Sequence, residues 1–129
     1  MKDTIEIEMN LSQFSGTEQY HRNPFHGKFL YSDGVRYLAE AAGAYWLLDL
    51  LASYQPQLAK HKDQRLHQMQ FWNLKINPDH SATATCRADS DVPPAVTQQI
   101  EFSDFPLPEI DIWVIQDQLG MLAILKTEY

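Results

Sequence analysis

The chain has 129 residues, of which 44% are hydrophobic, 12% are aromatic and 21% are charged. This length and apolar content fit one packed domain and exclude an intrinsically disordered chain, so we expect a single domain over residues 1–129. Seventeen acidic residues against ten basic ones give a formal net charge of −7, which argues against direct nucleic-acid binding, because neutralising phosphates requires surplus cations.

The first half of the chain carries one strong helical pattern. Ile5, Ile7 and Met9 alternate with polar residues, which predicts a half-buried strand over residues 4–9. Residues 10–31 show no sustained period and are predicted to be mostly loop. The strongest pattern begins at two helix-capping residues, Ser32 and Asp33, and continues until just before Pro56, so we predict one long, buried helix. Gly43 inside this helix is interpreted as a position of close packing.

The second half of the chain reads as a succession of strands. Period-2 or short apolar patterns cover residues 66–76, 82–88, 95–103, 109–115 and 121–125. In the second of these segments only small residues share one parity, as expected where a helix lies close across a sheet. They are Ala82, Ala84, Cys86 and Ala88. We therefore predict an α+β fold in which the long helix packs on an antiparallel meander sheet of four to five strands.

Four segments resemble a known family. They are LSQFSGTEQY at residues 11–20, YSDGVRYLAE at 31–40, AGAYWL at 42–47 and DFPLP at 104–108. Together they resemble an uncharacterised bacterial family of short proteins, catalogued as a domain of unknown function and found in scattered bacteria and on mobile elements. The resemblance implies no activity and supplies no catalytic residue.

The densest group of polar residues lies in the predicted loop. Glu18 and His21, three residues apart on a helical turn, can form a base and its orienting group, or with His26 a set of three metal ligands. Arg22 completes the group. The competing interpretation is a surface ion pair between Glu18 and Arg22 beside solvent-facing histidines. A pocket at this loop would be walled by two residues of the long helix, Tyr37 and Tyr45.

The sequence itself assigns no catalytic residue, metal ligand or cofactor. Neither a GxGxxG motif nor a P-loop lysine is present, so no nucleotide cofactor is expected. The one cysteine, Cys86, lies among alanines and is predicted to be a small buried residue rather than a nucleophile. An enzyme or ligand-binding protein that uses the Glu18, His21, Arg22 and His26 loop is therefore the second hypothesis rather than the first.

A long acidic segment carries the leading hypothesis. Seven acids and no lysine or arginine lie between Arg87 and Lys126; the acids are Asp89, Asp91, Glu101, Asp104, Glu109, Asp111 and Asp117. Glu101, Glu109 and Asp111 fall on predicted strands, and Trp113 has the parity opposite to Ile112, as an interface residue would. This pattern favours a non-enzymatic module that binds a protein partner or a second copy of itself. Alternatives are a solvated sheet edge, or an inhibitor from a mobile element that mimics nucleic-acid phosphates.

No targeting or membrane segment is expected. Glu6 and Glu8 stand where a signal peptide needs its apolar core, and the apolar stretch over residues 41–52 is interrupted by Asp49. That stretch is also too short to cross a bilayer. We therefore expect a cytoplasmic protein.

Overall fold

The structure is a computed structural model that describes residues 3–24 and 26–129. Its α-helices are α1 (Thr4–Leu11), α2 (Asp33–Ala42), α3 (Tyr45–Ser53) and α4 (Gln55–Ala59), and short 3-10 turns lie at Gln64–His67 and Lys126–Glu128. The strands are β1 (His21–Arg22), β2 (Phe29–Tyr31), β3 (Met69–Ile76), β4 (Ala82–Arg87), β5 (Val96–Ile100), β6 (Glu109–Asp117) and β7 (Gly120–Ile124).

The strands form one mixed sheet in the order β1-β2-β7-β6-β3-β4-β5. All neighbours are antiparallel except β2 and β7, which run parallel. The predicted α+β class is confirmed, but the antiparallel meander of four to five strands is wrong. β6 pairs with β3 instead of with β5, so residues 101–108 return the chain from the edge strand β5 past β4 and β3. The segment predicted to be mostly loop also adds two short strands, β1 and β2.

The predicted long helix is in fact two helices. Gly43 adopts a left-handed conformation, with φ 63° and ψ 40°, and its N–H donates to the carbonyl of Ala39. This conformation ends α2, because glycine alone adopts it without steric cost and its N–H then satisfies a free carbonyl of the last turn. The predicted start of the helix is confirmed: Ser32 caps α2, and its side chain accepts a hydrogen bond from the Val35 N–H at 3.2 Å.

The predicted N-terminal strand is wrong, because residues Thr4–Leu11 form helix α1. Ile7 is fully buried together with Leu11, four residues later, whereas Ile5 and Met9 are 66% and 61% exposed. The buried pair lies on one helical face, and the alternation that suggested a strand does not correspond to burial. Thr4 Oγ1 donates to the carbonyl of Pro106 at 3.0 Å and so fixes the start of α1.

The hydrophobic core lies between the helices and one face of the sheet. Leucines of α2 and α3, such as Leu38 and Leu51, join Trp72 of β3 and Val114 of β6 in one buried cluster. The small residues Ala82, Ala84 and Cys86 of β4 belong to the same cluster, as predicted. Within residues 3–24 and 26–129, no helix is long and apolar enough to span a bilayer.

Candidate interaction surface

The second face of the sheet is formed by the strand residues of opposite parity, and we call it the uncovered face because no described α-helix contributes to its buried cluster. Its buried residues are Leu30, Leu122 and Ile124, with Trp113 and Ile115 packed against them, and this cluster contains no residue of the described α-helices. Since successive side chains of a strand point to opposite faces, the strand register assigns each residue of this face to a row across the sheet.

The rows divide the uncovered face into an apolar half and a polar half. An aliphatic row runs Leu30, Leu122, Ile115, Met69, and an aromatic row runs Ile124, Trp113, Phe71, Arg87. Two polar rows follow: Asp111, Asn73, Thr85, Thr97 and then Glu109, Lys75, Thr83, Gln99. Protein interfaces usually combine an apolar region with a polar region beside it, as these two halves do.

Trp113 is the centre of an aromatic cluster on this face. Its ring meets that of Phe71 edge-on at a centroid distance of 5.2 Å and that of Tyr129 at 5.4 Å. Edge-to-face geometry is the favoured arrangement of aromatic pairs. Trp113 and Phe71 are each half-buried, and Tyr129 is 75% exposed. The cluster therefore presents aromatic surface to solvent from a rigid strand.

The acids of the polar half are engaged by neighbouring side chains. Asn73 Nδ2 donates to Glu109 Oε2 at 2.7 Å and to Asp111 Oδ1 at 2.9 Å. Lys126 Nζ lies 3.0 Å from the other oxygen of Asp111. The structure thus places Glu109, Asp111 and Trp113 side by side on β6. Glu101 lies apart from them, beyond the end of β5, with β3 and β4 in between.

The loop before β1 is organised by Asp33. Its Oδ1 lies 2.9 Å from His21 Nε2, and its Oδ2 accepts the backbone N–H of Glu18 at 2.9 Å. The hydrogen bond with His21, followed by that with the Glu18 N–H, lowers the pKa of the Asp33 carboxyl below its ordinary value. Glu18 contributes its backbone here, while its side chain is exposed. His21 is therefore partnered by Asp33 and not by Glu18.

Arg22 and His26 close the turn between β1 and β2. The Arg22 guanidinium donates to the carbonyl of Gly27, and the His26 backbone N–H donates to Asn23 Oδ1 at 3.0 Å. Asn23 is buried, and its Nδ2 donates to Asp49 Oδ1 on α3 at 2.9 Å. These contacts attach the turn to the helical layer.

The two tyrosines lie elsewhere. Tyr37 accepts a hydrogen bond from Asn10 Nδ2 at 2.7 Å and so joins α2 to α1. Tyr45 is exposed, and its hydroxyl donates to Glu40 Oε1 at 3.2 Å. The six candidates thus belong to four local groups: Glu18 and His21 share Asp33, Arg22 and His26 share the turn between β1 and β2, Tyr37 bonds to Asn10, and Tyr45 bonds to Glu40.

The described residues offer neither a metal cluster nor an activated thiol. Among residues 3–24 and 26–129, no three His, Cys, Asp or Glu side chains are grouped to hold a metal ion. Cys86 is fully buried, as predicted, and burial raises the pKa of its thiol to about 12. The thiol is therefore protonated at neutral pH, whereas a nucleophilic cysteine needs the thiolate.

Sequence reasoning missed Asn73 and Tyr129. Asn73 donates hydrogen bonds to both acids, and its signal in the sequence is an amide that shares strand parity with Phe71. Tyr129 has no such pattern, because it reaches Trp113 only through the fold of the last residues.

The comparisons with known proteins agree with the resemblance seen in the sequence. Residues 5–129 match the model of a family described as a family of unknown function, DUF6876. No significant match was found among curated proteins or among solved structures. The match confirms the predicted resemblance to a domain-of-unknown-function family.

Proposed function

The chain belongs to this family, which assigns no activity, and we propose from its surface that it is a non-enzymatic interaction module that pairs with a second copy of itself. The observation that carries the proposal is the uncovered face, whose half-buried aromatic cluster lies in the middle of the sheet on the side away from the described α-helices.

The apolar half of the uncovered face supplies the driving force. Met69, Phe71, Trp113 and Ile115 are all half-buried and lie in two adjacent rows. Water leaves apolar surface of this kind when a second apolar surface covers it, and aromatic side chains are enriched at the centres of such contacts. A two-fold pairing would place the apolar half of one copy on that of the other.

The polar half favours a second copy over a basic partner. Glu109 and Asp111 on β6 are accompanied by Lys75 on β3 and Arg87 on β4, so both signs of charge occur on the same face. In an isologous contact the same patch occurs on both sides, and a patch with both signs can complement itself. A strongly basic partner would instead favour an uncompensated acidic field.

The phosphate-mimicry alternative has less support. It needs unpaired acids in regular rows, whereas Asp111 lies against Lys126 and shares Asn73 with Glu109. Asp89 and Asp91 lie between β4 and β5 and are not part of the strand rows.

The test is the molecular mass in solution. We expect size-exclusion chromatography with light scattering, at about 100 μM and at salt near 0.15 M, to give twice 14.9 kDa for the wild type. Phe71→Lys places a cation in the aromatic row and should give a monomer. The matched control is Tyr45→Lys, which changes an exposed aromatic residue on α3 and should remain dimeric.

Circular dichroism melting of each variant separates loss of pairing from loss of folding. If Phe71→Lys does not fold, Thr85→Lys, next to the aromatic row on β4, serves in its place. A wild type that stays monomeric at this concentration contradicts the proposal, as does a folded Phe71→Lys variant that remains a dimer.

A further inference from the structure

A groove lies at the end of the sheet, away from the aromatic cluster of the uncovered face. Its volume is about 730 Å³, within the range typical of small-molecule sites. One wall consists of α3 and α4 residues, including Ala52, Gln55 and Ala59, and the opposite wall of residues 26–29 and the β6–β7 hairpin.

The floor of the groove is apolar. Phe29 and Ala52 are buried at its base, and Met121 lines it from β7. An apolar floor favours a ligand with an apolar body, since the ligand gains by leaving water. Most small-molecule sites combine such a lining with a few polar groups that orient the ligand.

Gln55 is held by the protein itself and does not contribute such a polar group. Its side chain and that of Gln70 exchange two hydrogen bonds of 2.9 Å, and Gln55 Nε2 also lies 3.1 Å from the carbonyl of Leu51. Gln70 Oε1 additionally accepts the indole N–H of Trp72. This closed network makes the helix wall rigid and leaves orientation of a ligand to the opposite wall.

The opposite wall is fixed by close contact between Gly120 and Lys28. Gly120 has φ +148°, and a Cβ built there would lie 2.0 Å from the Lys28 carbonyl oxygen. Only glycine permits this approach, which holds the β6–β7 hairpin against the backbone of Lys28. This contact fixes the Lys28 backbone in the wall of the groove, and Lys28 itself is exposed.

The charged residues that line the groove differ in whether they have hydrogen-bond partners. Asp117 accepts hydrogen bonds from the Tyr20 hydroxyl at 3.3 Å and from the Leu119 N–H at 3.1 Å. The side chains of Lys28 and His26, in contrast, have no hydrogen-bond or ion-pair partner in the part of the chain that the structure describes. Asp117 keeps its negative charge, since both of its donors are neutral, but each of its oxygens already accepts a hydrogen bond. The Lys28 ammonium is therefore the charged group of the described lining that is free to pair.

We infer that this groove binds a small amphipathic carboxylate, with its apolar body on Phe29 and Met121 and its carboxylate at Lys28. One ammonium matches one negative charge, and a hydrogen bond between two charged groups is stronger than one between neutral groups. The residues that carry this inference are separate from the aromatic cluster, so it does not depend on self-association.

The first experiment is a titration of the ¹⁵N-labelled protein with decanoate and, in parallel, with decanol. We expect saturable amide shifts confined to residues 26–29, 52–59 and 116–121, with decanoate binding more tightly. Lys28→Met should weaken decanoate by about tenfold, the size expected for loss of one charged hydrogen bond, and should leave decanol within about twofold. Lys60→Met, which removes an exposed lysine just after α4, is the matched control and should change neither.

The second experiment fills the groove with a larger side chain. Ala59 is exposed and lines the groove from α4, so Ala59→Trp should fill it without changing the melting temperature, and binding of both probes should be lost. The inference is overturned if decanoate gives no saturable shifts, if the shifts lie outside the groove, or if Lys28→Met weakens decanol as much as decanoate.

Discussion

The covered and uncovered faces of the sheet come from the same strands, yet their side chains differ in size and character. On β4 the covered face takes Ala82, Ala84 and Cys86, while the uncovered face takes Thr83, Thr85 and Arg87. Small residues are needed where α3 lies close across the strand, because interiors pack to high density. Where no helix constrains the space, bulky side chains such as Phe71 and Trp113 are accommodated but remain half-buried. Burial of the second face is therefore incomplete in the single chain.

The largest effect on stability should come from the covered face. Leu51→Ala removes a fully buried side chain from the core and should lower the free energy of unfolding by about 2–5 kcal/mol, the usual cost of such a cavity. Urea denaturation measures it. Phe71→Thr on the uncovered face, measured on the monomer, should cost about 1 kcal/mol. Equal losses from the two variants would contradict the distinction between the faces.

An intermediate effect on stability should follow from substituting Gly43, the residue that ends α2. Gly43→Ala forces an L side chain into the left-handed conformation between α2 and α3, so we expect a loss of about 1–2 kcal/mol. Gly16→Ala is the control, because a Cβ at Gly16 meets open space, and its effect should stay within about 0.5 kcal/mol. Chemical denaturation of both variants measures the free energy of unfolding. An unchanged value for Gly43→Ala would show that residue 43 can leave the left-handed conformation without cost.

The smallest effect should be a pH dependence at the edge of the sheet, where the loop before β1 meets α2. The pKa of Asp33 is lowered in the folded chain, so its stabilisation is present above about pH 4, the unfolded value, and is lost as pH falls through the folded value. Asp33→Asn lacks this contribution.

The difference in unfolding free energy between wild type and Asp33→Asn should therefore shrink from pH 6 to pH 3. Denaturation curves at each pH measure it, with the exposed Asp104→Asn as control. A difference that stays constant over this range would mean that the Asp33 carboxylate does not favour folding.

Local features were predictable from the sequence where one nearby interaction decides them. Ser32 caps α2 because its side chain reaches an N–H three residues later, and the alternation of β4 matches its burial. Thr4–Leu11 was misread because a short window with Ile5, Ile7 and Met9 fits a strand as well as a helix, and only packing against Leu11 and the core decides between them. Whether the helix ends at Gly43 or continues through it is likewise decided by tertiary packing.

The candidate surface was predictable only in part. Glu109, Asp111 and Trp113 alternate on one strand, so their common face follows from the sequence. That Asn73 engages these acids depends on the pairing of β6 with β3, which no local pattern encodes. The contact of Lys126 with Asp111 follows instead from the pairing of β6 with β7. The groove at Lys28 depends on Gly120, 92 positions later in the sequence, and on the parallel pairing of β2 with β7.

The parallel pairing of β2 with β7 also has a consequence for biosynthesis. Phe29 pairs with Met121 and Tyr31 with Ala123, so β2 has no neighbour on its β7 side until residues 120–124, which follow it by about 90 positions, have left the ribosome. Contacts so distant in sequence slow folding and leave strand edges exposed meanwhile. In the nascent chain the β7 side of β2 is therefore unpaired. The hairpin of β1 and β2 can join the rest of the sheet only after β7 has been synthesised.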